Sequence, residues 1–96
     1  METPPDWPFE DPPNVAVIAT PDVMDGSGWI AFVSHDDEDG CWQFHGPGES
    51  DPGQAKVVAL HRVLAIDPGI AGLADLPFGW QAWRASPSAP WQRAAL

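Results

Sequence analysis

Apolar and polar positions fall in short blocks along this chain. Val15-Ala16-Val17-Ile18-Ala19-Thr20 is an apolar run rich in β-branched residues, the pattern of a buried strand, and Pro21 ends it. Thr20 to Gly26 supplies an N-cap residue, a proline at the first helical position and a closing glycine, which predicts one helical turn. Trp29 to His35 reads as the next strand and Cys41 to His45 as the one after it. Asp39-Gly40 between them signals a hairpin whose loop has about two to four residues. A period of two puts Trp42 and Phe44 on one face, and Cys41, Gln43 and His45 on the other.

The second half is more helical. Gly46 to Gly53 is loop by composition, and Val57-Val58-Ala59-Leu60 reads either as a short strand or as the start of a helix. A helix is predicted through Arg62-Val63-Leu64-Ala65-Ile66. Asp67-Pro68 then starts a new turn with Asp67 as N-cap. Ile70, Leu73 and Ala74 keep helical spacing, while Gly69 and Gly72 each weaken that helix by about 1 kcal/mol. Leu76-Pro77-Phe78-Gly79 ends it, Trp80 to Ala85 reads as a strand, Ser86 to Pro90 as a loop, and Trp91-Gln92-Arg93 as a closing segment. At the other end, Pro4, Pro5, Pro8, Pro12 and Pro13 deny regular structure to residues 1–14. That segment reads as an extended arm that Trp7 and Phe9 could dock, followed by a single domain over residues 15–96. The expected class is α+β: a small, mostly antiparallel sheet of about four strands with short helices on one face.

Composition narrows the function classes. Of 96 residues, 14 are acidic and 4 are Lys or Arg, a formal net charge of -10. Every Lys and Arg (Lys56, Arg62, Arg84, Arg93) lies after residue 55, so the first part of the chain is uniformly acidic. So few bases exclude an electrostatic nucleic-acid binder. No stretch approaches the roughly 18 apolar residues of a membrane span. No basic segment followed by an apolar run opens the chain, and Cys41 is the lone cysteine; both point to the cytoplasm.

Candidate chemistry gathers around the hairpin. His35, Cys41 and His45 are soft ligands for zinc or a small molecule, but their spacing matches no standard zinc pattern. Asp36-Asp37-Glu38-Asp39-Gly40 offers clustered oxygens, but it is too short for an EF-hand and its glycine is misplaced. Such a run also serves as a solvated turn that guards a sheet edge. A Cys41–His pair is conceivable as a nucleophile, yet the preceding carboxylates oppose thiolate formation, and no serine lies in a nucleophile-elbow context. No catalytic residue, metal ligand or cofactor is therefore assigned. Trp83 and Arg84 are of the residue types found at binding hot spots. Because Trp80 and Trp83 lie three apart, a strand sends them to opposite faces, with one expected to pack inward.

Three segments taken together resemble a known group. They are His35 to Phe44 with its Gly-x-Trp-x-Phe element, Val57 to Pro68 with its Asp-Pro, and Leu73 to Arg84 with its Leu-Pro-x-Gly turn. In this order they resemble small bacterial domains of unknown function related to immunity proteins of polymorphic toxin systems. The likeness covers residues 15–93, and its elements are turns, caps and core aromatics. It implies a non-enzymatic protein that binds and neutralises a toxin enzyme. The acidic half agrees, since it would steer toward a basic protein partner such as a toxin domain. The surface expected to bind comprises Asp36, Asp37, Glu38, Asp39, Trp83 and Arg84. The alternative is a metal- or small-ligand-binding domain using His35, Cys41 and His45.

Overall fold

A computed structural model of the protein describes residues 5–24, 29–47 and 54–96. Among these residues six strands form one sheet: β1 (Ala16–Ala19), β2 (Phe32–His35), β3 (Trp42–His45), β4 (Lys56–Ala59), β5 (Trp80–Trp83) and β6 (Gln92–Ala95). Their spatial order is β4-β1-β3-β2-β5-β6. β1 and β3 run parallel, and the other neighbours are antiparallel. The α+β class agrees with the pattern of residues; the strand count and the antiparallel pairing need correction. β4 was ambiguous because four apolar residues carry no period. β6 has the composition Gln-Arg-Ala-Ala, which is poor in strand-forming residues, and is held by its neighbour β5. The parallel pair arises because the β2–β3 hairpin docks on β1 through its second strand, a long-range choice that no local pattern encodes.

One face of the sheet carries the core. Val17, Ala19, Val33, Trp42, Phe44 and Ala82 are buried there with Val23 of α1 (Pro21–Met24) and Leu60 and Val63 of α2 (Leu60–Ile66). Ile70 and Leu73 join them from a 3-10 segment, Pro68–Leu73. The expected second α-helix is thus a tighter 3-10 turn, the form short pieces take where glycines interrupt. Asp67 caps it as expected, Oδ1 accepting from Gly69 N at 3.0 Å. Thr20 takes the expected N-cap position ahead of α1. Its backbone carbonyl accepts from Val23 and Met24, while its hydroxyl accepts from Gly46 N at 3.2 Å. The expected closing glycine, Gly26, lies outside the described residues.

Among the described residues no side chain caps α2. Its first two N–H groups donate instead to the carbonyls of Val15 and Pro13, at 3.0 and 2.9 Å, which satisfies donors that a helix start leaves open. The lead into β1 is therefore fixed to the body. Further out, Phe9 is buried edge-on against Trp42, with ring centroids 5.4 Å apart, and Trp42 Nε1 donates to Asp11 Oδ1 at 3.2 Å. Among the described residues, no helix is long and apolar enough to cross a membrane.

Candidate functional site

The β2–β3 hairpin carries the acidic turn. Asp36 N donates to Cys41 O at 2.8 Å and Gly40 N to Asp36 O at 3.0 Å, closing a four-residue loop over 37–40. Gly40 sits at φ 70, the left-handed conformation that favours glycine. Two of the four acids are used locally. Asp36 accepts from Gln43 Nε2 at 2.6 Å and from the Ser34 hydroxyl at 3.4 Å, and Asp39 accepts from Cys41 N at 2.9 Å. Asp37 and Glu38 are exposed and form no hydrogen bond or ion pair among the described residues.

The aromatic neighbours of this turn differ from those expected. β5 runs antiparallel to β2, pairing His35 with Trp80 and Phe32 with Trp83. Trp83 therefore sits at the end of β5 away from the turn, about 10 Å along the strand, and on the face opposite the core. Neither Trp80 nor Trp83 packs inward: they are 36% and 40% exposed, and Ala82 fills the buried position between them. Near the turn stands Phe78, 63% exposed. A Cβ added to Gly40 would lie 3.2 Å from the Phe78 ring.

Arg84 is held inside the molecule. Its side chain is 3% exposed and forms an ion pair with Asp67. Nε donates to Ile30 O at 2.9 Å and Nη1 to Pro87 O at 3.1 Å, and the guanidinium lies over Trp91 (4.3 Å) and Trp29 (5.6 Å). These contacts leave it no role on the outer surface.

The residues of the metal alternative do not converge. His35 is buried on the core face, stacked on Trp42 with centroids 3.8 Å apart, whereas His45 lies on the opposite face against Phe32 at 5.5 Å. Among the described residues no group of His, Cys, Asp and Glu is placed to hold a metal ion. Burial pushes the Cys41 thiol above its ordinary value, and Asp39 and Asp36 push it further, so the thiolate a nucleophile needs is disfavoured.

A cleft of about 280 Å³ opens beside the turn, under the N-terminal segment. Glu10, Asp11, His35, Trp42, Asp75 and Phe78 are among its walls, and among the described residues no Lys or Arg lines it. Arg93 pairs with Asp75 at 2.8 Å, and that contact holds the Asp75 carboxyl below the usual range. Sequence reasoning missed Glu10, Asp11, Asp75 and Phe78. Only Phe78 had a local signal, a large apolar residue in a Pro-x-Gly turn. Comparison of the chain with protein-family models, curated proteins and solved structures finds no match.

Proposed function

We propose that this chain is a non-enzymatic binding protein for a basic protein partner, acting in the cytoplasm as an immunity-type inhibitor of a toxin enzyme. The observation that carries the reading is the pair of exposed carboxylates, Asp37 and Glu38, with no polar partner among the described residues. They stand beside the exposed ring of Phe78. An apolar contact bordered by unpaired charge of one sign suits a partner surface of the other sign, and such complementarity raises the rate of encounter. The disfavoured Cys41 thiolate supports a role without nucleophilic chemistry. The inhibitor role rests on the resemblance of the hairpin, Asp-Pro and Leu-Pro-x-Gly segments to immunity-type domains.

Binding to the purified products of the genes flanking this one tests the reading. A stable complex with a basic product, weakened by Asp37→Asn with Glu38→Gln and by added salt, is the expected result. Absence of any complex, or a complex indifferent to both changes, would overturn it.

A further inference from the structure

We propose that the cleft beside the hairpin is a receptor for a guanidinium group, the side chain of an arginine on the partner. Two independent observations converge there. The first is the charge and aromatic content of the walls. Glu10, Asp11 and Asp75 line it with Trp42 and Phe78; Asp75 already pairs with Arg93 and Trp42 is 1% exposed, so Phe78 is the ring open to a ligand. Glu10 has no hydrogen bond or ion pair among the described residues. Asp11 accepts from Trp42 through Oδ1. Carboxylates beside the exposed Phe78 ring suit a planar cation with several N–H donors, and arginine stacks on a ring better than lysine does.

The second observation is His35. The residue is 7% exposed, and its Nε2 is buried without a hydrogen-bond partner among the described residues. Its Nδ1 lies 2.8 Å from Leu76 O. A carbonyl only accepts, so Nδ1 carries the proton, and in the neutral ring Nε2 is left as an acceptor. One ring face is covered by Trp42, and Phe78 is tilted against the ring at 4.6 Å. His35 lines the cleft, and Nε2, closed off from solvent, is its polar atom without a partner among the described residues. A buried acceptor without a donor is costly, and an arginine N–H is the missing donor. To reach Nε2 the guanidinium has to displace Phe78, whose ring is tilted against His35 and 63% exposed. This inference rests on the binding reading only for the partner's identity, and the cleft's chemistry is tested by itself.

The probe is N-acetyl-L-arginine methylamide, titrated into the isotope-labelled protein and followed by NMR. A saturable shift of the Trp42 indole N–H and of His35 Nε2 is expected, with the His35 proton remaining on Nδ1. The neutral citrulline analogue has nearly the same shape and should give no saturation, and the lysine analogue should bind more weakly. Glu10→Gln and Asp11→Asn remove charge while keeping acceptors, and each should weaken binding severalfold with the rest of the spectrum unchanged. No saturable shift, equal binding of citrulline, or shifts centred away from the cleft would overturn the assignment. Equal or tighter binding of the lysine analogue would overturn the preference for guanidinium. Arginine binding that survives Asp37→Asn with Glu38→Gln, in a protein that binds no flanking gene product, would separate failure of the function from failure of the cleft.

Discussion

The guanidinium of Arg84 lies over the rings of Trp91 and Trp29, and its polar contacts tie together Ile30, Asp67 and Pro87. Asp67 adds a bond of its own, Oδ2 accepting from Ile30 N at 3.2 Å. Removing one partner of such a buried pair leaves the other charge uncompensated, at a cost of about 3–5 kcal/mol. Arg84→Ala should therefore lower the unfolding free energy by about that amount in a denaturant titration, whereas a surface role would leave it nearly unchanged. The pairing with Asp67 was not readable in the sequence. The two residues are 17 positions apart, and the acidic first half was the more obvious source of a counter-charge. His45 is the second informative residue. Burial pushes its imidazole below the ordinary value of 6.5, against the opposing pull of Asp22 and Asp36. As pH falls through that value the unfolded chain binds the proton first, so folding stability should drop on acidification from about pH 7. His45→Gln should make that decline shallower; parallel stability curves for the two proteins would contradict the assignment.

At the scale of elements, the N-terminal segment and the hairpin decide where the site lies. Phe9 packs on Trp42 and Asp11 holds the Trp42 indole, so a stretch of chain without regular structure walls the cleft. Proline content explained the missing helix and strand. It was silent on docking, which depends on a partner ring more than thirty positions away. Phe9→Ala should cost about 3–5 kcal/mol of stability, as truncation of a buried ring does, measured by thermal or chemical melts; a change within error would mean that the segment is not docked. In the hairpin, alternation put Trp42 and Phe44 on one face, which is the buried one, and Asp39-Gly40 marked the turn. Loop length stayed open because only the φ of 70 at Gly40 and its bond to Asp36 settle four residues. Gly40→Ala should destabilise by about 1–2 kcal/mol for its left-handed backbone, and the added methyl should press on Phe78, visible as shifted ring resonances.

Across the whole molecule, the open face of the sheet, the turn and the cleft divide the surface into regions of different chemistry. The core face and its short helices follow from periodic apolar residues, so they were legible in the sequence. The edge strands β4 and β6 owe their form to neighbours rather than to their own residues, so they were not. The charge of the proposed surface comes from the sequence, and Asp37 and Glu38 stand at the tip without a polar partner among the described residues. Its aromatic part was not legible there, because Trp83 and Arg84 looked adjacent in sequence while the strand order brings Phe78 and Trp80 to the turn instead. In the proposed function this tip is where a basic partner is first met. The most direct test is the association rate with a basic flanking gene product, measured at low salt and again near physiological salt, where the Debye length is about 8 Å. The account predicts a rate that falls by about tenfold or more between the two conditions. In the Asp37→Asn, Glu38→Gln protein it predicts a slower rate at low salt with a flatter salt dependence. An association rate that ignores salt, and is the same in both proteins, would contradict it.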